Sequence, residues 1–278
     1  MFDVLQLPFI QRAFLIGAVS AVAFGLVGTF IVVRRIGYLA GAVAHTAFGG
    51  IGIGLYLQYV LAGTALAQFF PPLGVAVAVA LLSAILVGVI KNKVKEREDT
   101  VIGVVWAVGM ALGILLMNAT PGSTNISNYL FGDIILNTPD DMVMVCILSA
   151  VVLLFVAVFF QRLEAVCFDE EFSRIRGVKT TFYFYLLLLL CALTVVLLVR
   201  IVGVILVIAM LTLPAAAACR FAHRLLPICA LAVMFGIIST TGGLLISVCL
   251  NLSTGPVIVL TAAALYIAAL LKPHRRNG

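Results

Sequence analysis

Lys91-Asn92-Lys93-Val94-Lys95-Glu96-Arg97-Glu98-Asp99 is the stretch whose surroundings decide the fold. Residues 72–90 before it and residues 100–118 after it hold no charged side chain. Each run is close to the roughly 20 apolar residues that an α-helix needs to cross a bilayer. A short segment of mixed charge between two such runs reads as a pair of solvated helix ends on one side of a membrane.

The same alternation repeats along the chain. Of 17 Lys and Arg, all but Arg12 and Arg200 fall in five clusters: Arg34 and Arg35; Lys91, Lys93, Lys95 and Arg97; Arg162, Arg174, Arg176 and Lys179; Arg220 and Arg224; and Lys272, Arg275 and Arg276. About two crossings of apolar sequence separate each cluster from the next, so all five can share the cytoplasmic side, where Lys and Arg concentrate. The expected crossings are about 10–33, 37–61, 72–90, 100–118, 141–161, 181–199, 202–221, 225–249 and 256–271. This is an all-α, polytopic integral membrane protein of about nine transmembrane helices, with the N-terminus outside, the C-terminus cytoplasmic, and residues 1–278 forming a single transmembrane domain. Leu186 to Ala218 is nearly unbroken around Arg200, so eight helices is the alternative count.

Composition excludes a water-soluble core: 64% of residues are hydrophobic, 10% are charged and mean hydropathy is +1.27, against roughly 25% charged residues in a soluble domain. The basic residues are dispersed over loops, which argues against nucleic acid as the partner. Cys146, Cys167, Cys191, Cys219, Cys229 and Cys249 stand alone without ligand spacing and read as small core residues. The first apolar run lacks a basic segment before it and is long enough to span, so no cleavable signal peptide is expected.

Two segments are more than connectors. Asn118 to Asp140 reads as an outer loop, with a short apolar element from Tyr129 to Leu136 that can dip into the membrane. Residues 164–179 form a charged inner segment in which Phe168, Phe172 and Ile175, spaced by four and three, give a short surface helix one apolar face. Such a helix is a docking site for a soluble partner.

Gly25 and Gly28, Gly50 and Gly54, and Gly109 and Gly113 have the spacing that lets membrane helices approach closely. Glycine-dense 49–54 is read the same way, because no GK[ST] follows it and no strand precedes it. His45 is the one histidine away from the inner loops. An ionisable group at membrane depth faces a polar pathway or pairs across a helix interface, and both readings stay open. Asp3, Asp133, Asp140 and Asp141 lie on the outer side. Asp133 stands apart in its apolar context, Leu130-Phe131-Gly132-Asp133-Ile134-Ile135, whereas the other loop acids read as solvated. No HExxH, no paired intramembrane carboxylates, no Ser-His-Asp candidate set and no Walker A sequence appear, so the chain is expected to be a transport component and not an enzyme.

The chain resembles the permease subunits of ABC importers for zinc, manganese and iron, which are related to the cobalamin and siderophore permeases. The resemblance is carried in order by Arg34-Arg35 with Ala44-His45-Thr46-Ala47; Glu98-Asp99-Thr100-Val101-Ile102-Gly103; Leu130-Phe131-Gly132-Asp133-Ile134; Phe168-Asp169-Glu170-Glu171-Phe172 through Arg176-Gly177-Val178; Val202-Gly203-Val204-Ile205-Leu206 through Leu213-Pro214-Ala215-Ala216; and Leu252-Ser253-Thr254-Gly255-Pro256. It implies a permease working as a homodimer or with a related paralogue in a bacterial-type plasma membrane. Two cytoplasmic ATP-binding subunits would drive it, an extracytoplasmic metal-binding protein would deliver the ion, and no cofactor would be held stably.

The resemblance also assigns coupling to the ATPase to Phe168, Asp169, Glu170, Glu171, Phe172, Arg176 and Gly177. His45 and Asp133 are the expected lining of the translocation pathway. Gly49-Gly50 stands where the family usually has Pro-Gly, which leaves the shape of the helix near His45 open. The rival reading is an ATP-independent secondary carrier or channel.

Overall fold

A computed structural model describes residues 7–93, 98–122, 130, 132, 134–135 and 137–271. The helices are α1 (Pro8–Val33), α2 (Gly37–Val60), α3 (Pro72–Lys93), α4 (Glu98–Asn118), α5 (Pro139–Phe168), α6 (Glu170–Ile175), α7 (Thr180–Val202), α8 (Val204–Ala218), α9 (Leu225–Leu250) and α10 (Thr254–Leu271), with a 3-10 turn at Ala65–Phe69. Local chemistry sets several boundaries. Pro8 and Pro139 stand in first turns, where a missing N–H costs nothing. Thr138 and Asp141 cap each other's backbone at the start of α5, and Asp169 caps α6 by accepting from the Phe172 N–H at 2.8 Å.

The register of close contacts orders the bundle. Antiparallel packing of α1 and α9 sets Gly17 beside Thr240 and Gly25 beside Val233, while α2 and α3 set Gly50 beside Ala76 and Gly54 beside Pro72. By contrast α2 and α4 run parallel, with Gly41 against Trp106 and Gly52 against Gly113. Parallel α1 and α5 are joined by the Ser149 hydroxyl, which donates to the Val19 carbonyl at 2.9 Å. Packing of α9 on α10 is antiparallel through Gly243 and Ile258. These directions bring the helix ends that adjoin all five basic clusters to one end of the bundle.

Among the described residues, eight helices are long and apolar enough to span; the exception among the nine expected crossings is 202–221, which forms the 15-residue α8. Its length, roughly 22 Å, falls short of a hydrocarbon core of about 30 Å. The cause is Gly203, at φ +85°, which separates α7 from α8 in a backbone conformation that L-residues rarely adopt. Gly28 meets the Leu211 carbonyl, and Val32 and Val33 pack with Ala215 and Ala218. Accordingly α8 accompanies only the half of α1 that leads to Arg34. The outer loop closes the remaining space: Gly132 packs on the Val202–Gly203 backbone, and buried Ile134 approaches Gly17. Gly17 lies roughly 13 Å along α1 from its N-terminal end, so the described residues Gly132 and Ile134 reach into the bundle.

The glycine pairs do what their spacing predicts. A Cβ at Gly49 would lie 2.6 Å from the Gly109 carbonyl oxygen, and one at Gly50 would lie 2.6 Å from the Ala76 Cα. The Gly49-Gly50 pair therefore admits neighbouring backbones on two sides, and α2 continues through it unbroken.

Candidate functional site

His45 lies on α2 roughly 12 Å from the basic end of that helix. It is 8% exposed. Its ring stacks on Trp106 of α4, with centroids 4.6 Å apart and planes at 24°. Trp106 also covers Gly41, where a Cβ would collide with the indole. Nδ1 of His45 is buried and has no hydrogen-bond partner among the described residues. An unsatisfied polar atom of that kind costs about 1–3 kcal/mol, which is a reason to expect that something polar visits it.

The neighbouring residue extends the polar spot. Thr46 and Ser83 hydroxyls meet at 2.9 Å, linking α2 to α3, and both are buried. Three polar side chains thus interrupt otherwise apolar helices at one depth. Beyond Trp106 the outer face of α4 is apolar and exposed, through Val104, Val108, Leu112 and Leu115. The half-buried indole is what stands between His45 and that face. Among the described residues, no three His, Cys, Asp or Glu side chains come together as a metal site. Asp133 lies outside the described residues; its neighbours Gly132 and Ile134 pack at the α7–α8 break and beside α1.

Of the loop acids expected to be solvated, Asp140 is exposed and Asp141 is not. Asp141 is buried, and besides capping α5 it approaches Arg200 at 3.6 Å. One of the two cations outside the basic clusters thereby gains a counter-charge, and Asp141 is not simply solvated.

At the basic end, the segment 164–179 is not one surface helix: residues 164–168 complete α5, Asp169 breaks the chain in an extended conformation, and only Glu170–Ile175 form α6. Phe168 at the end of α5 and Phe172 and Ile175 on α6 are all exposed. Glu170 anchors α6: its carboxylate accepts from the Arg34 guanidinium at 2.5 Å, and the Arg34 side chain is only 8% exposed while that of Glu170 is half exposed. Arg34 in turn lies over the Phe184 ring of α7 at 5.1 Å. Glu171 points to solvent, Arg176 covers the Phe172 ring at 4.8 Å, and Gly177 ends the segment at φ +80°. One side chain therefore ties the inner ends of α1 and α7 to α6. The 164–179 segment and His45 occupy different depths and do not meet.

Sequence reasoning missed Trp106 and the Arg34–Glu170 link. The first had a signal, as the single tryptophan of the chain; the second joins residues with nothing in sequence to pair them.

Residues 6–273 match the sequence profile of the ABC 3 transport family. The chain belongs to that family. It is 37% identical over 276 residues to a protein of Chlamydia pneumoniae named "Probable metal transport system membrane protein", covering 99% of this chain and 92% of that one. It is 31% identical over 267 residues to the manganese transport system membrane protein MntC of Listeria monocytogenes, covering 96% and 91%. Among solved structures, PsaBC from Streptococcus pneumoniae in complex with Fab is similar at 32% identity and a TM-score of 0.85, over 99% of this chain and 96% of that one. This member of the ABC 3 transport family is thus a multi-pass membrane permease, and the named relatives are bacterial.

Proposed function

We propose that this permease carries a divalent transition metal into the cytoplasm by alternating access, driven by separate ATPase subunits, with manganese the first candidate and zinc or iron the alternatives. What carries the reading is the Arg34–Glu170 bridge. It fixes a short helix with an uncovered apolar face to the inner ends of α1 and α7, so a push on α6 reaches two spanning helices. The basic end is cytoplasmic by the positive-inside rule, which turns α6 toward the ATPase and puts the N-terminus outside.

His45 offers one imidazole, a ligand that suits zinc and iron, and carboxylate or carbonyl oxygen from elsewhere would suit manganese. The manganese assignment of named relatives supports that metal. A single imidazole under one indole, next to an exposed apolar helix face, supports a pathway completed by a second permease copy or paralogue rather than one enclosed within this chain. Asp133, in the outer loop that seals the α7–α8 break, is the proposed acid at the entrance. Delivery by an extracytoplasmic binding protein completes the assembly.

A proton-driven carrier would call for a buried carboxylate at depth. Among the described residues the buried acid is Asp141, which sits at a helix cap. Co-purification decides between the two: a subunit with a Walker A sequence should accompany the tagged chain and be lost in E170K/E171K. A chain that transports metal alone would overturn the ATP-driven reading.

A further inference from the structure

The inner end of the seam between α5 and α7 holds a cavity of about 470 Å³, lined by Arg162, Arg176, Lys179, Gly177, Phe182 and Tyr183 among others. Three cations face it. Among the described residues none of the three is ion-paired with a carboxylate: Glu170 is engaged by Arg34, and Asp169 caps α6. The Arg162 guanidinium donates to the Tyr183 hydroxyl at 2.6 Å, which fixes its direction without neutralising it. Like charges around one cavity repel, so the arrangement gains from an anion.

The surroundings say which anion. Ile147, Val151, Leu154 and Val158 form an exposed apolar stripe down α5 at spacings of four, three and four, and Arg162 is the next member of the series. Phe182 continues the exposed apolar surface on α7. A molecule that satisfies both features carries a phosphate at one end and hydrocarbon along the stripe. We infer that this cavity binds the phosphate of an anionic phospholipid, whose acyl chains lie against the α5 stripe. Basic pockets between helices at the cytoplasmic side suit such headgroups, and long cationic side chains at helix ends reach the interface while their stems stay apolar. The site adjoins Arg176 and Gly177, so a bound lipid holds the C-terminal end of the 164–179 segment as Arg34 holds its start. The assignment to the inner leaflet rests on the proposed orientation; the site itself does not.

The test is thermal stability of the full chain, purified in detergent with the subunits that accompany it, in the presence of phosphatidylglycerol, phosphatidylcholine or inorganic phosphate. Phosphatidylglycerol is expected to raise Tm by roughly 5 °C more than phosphatidylcholine at saturating lipid, and R176Q/K179Q, which leaves the Arg162–Tyr183 bond in place, should abolish that difference. Equal shifts from the two lipids, or a difference that survives in the double variant, would overturn the proposal. A full shift from inorganic phosphate alone would assign the cavity to a free anion, and loss of the lipid effect only in E170K/E171K would assign the charge preference to the docked subunit. Both results go against the lipid site, and neither depends on which metal is carried.

Discussion

Arg34 and Glu170 join the end of the first spanning helix to the six-residue α6 at the basic end of the bundle, across 2.5 Å and 136 residues of chain. Because the Glu170 side chain is half exposed, the pair is worth about 1 kcal/mol or less to stability. Its importance is geometric. E170K sets a second cation against the largely buried Arg34 guanidinium, so it should lower Tm as well as uncouple ATP hydrolysis from transport several-fold, and R34E/E170R should recover part of both. Hydrolysis and uptake measured on the same preparation check this; coupled transport in E170K would sink the role.

The His45–Trp106 stack makes a separate prediction. Such ring pairs are worth about 0.5–1.5 kcal/mol beyond their buried area, or roughly a two- to tenfold effect. W106F keeps a ring over the imidazole and should retain most uptake, whereas W106L should lose several-fold at matched expression. As the chain has a single tryptophan, its emission reports on His45 directly. Metal titration should change emission in the parent and leave H45A unaffected. Identical responses in the two would remove His45 from the pathway.

Gly203 holds α7 and α8 apart at φ +85° and ψ 158°. A side chain there is strained by about 1–3 kcal/mol. G203A should therefore lower Tm measurably, and any transport that remains should show the α7–α8 break to be structural rather than moving. A Tm equal to the parent would mean that the break relaxes without cost.

Close helix approach is testable at Gly28, which faces the Leu211 carbonyl, and at Gly49, which faces Gly109. G28V and G49V should each destabilise by about 1–3 kcal/mol through overpacking, read as lost monodispersity or lower Tm in detergent. Gly103 has open space around it, so G103A is the control and should be neutral.

How much of this was legible in the sequence follows from range. Charge clusters and apolar runs are local, and they gave the helices, their alternation and the glycine contacts. Asp141 was read as solvated although its capping box with Thr138 is local and was legible three residues apart; its burial and its approach to Arg200 were not, because they depend on how α5 and α7 meet. The boundary near Arg200 was expected, but α8 is shorter than the expected 202–221 at both ends: the positive φ at Gly203 delays its start to Val204, and it stops at Ala218. The exposed face of α6 was foreseen from its spacing, but its anchor at Arg34 was not. At His45 the sequence left pathway and packing open; the structure shows both a packed ring and an unsatisfied nitrogen.

The most direct measurement is accumulation of labelled manganese, zinc and iron in vesicles that contain this chain with its candidate ATPase and binding protein, with and without ATP, for the parent and H45A. The account predicts ATP-dependent accumulation of one metal, manganese first, that H45A reduces at unchanged ATPase assembly. Uptake that ignores ATP and the binding protein would contradict it.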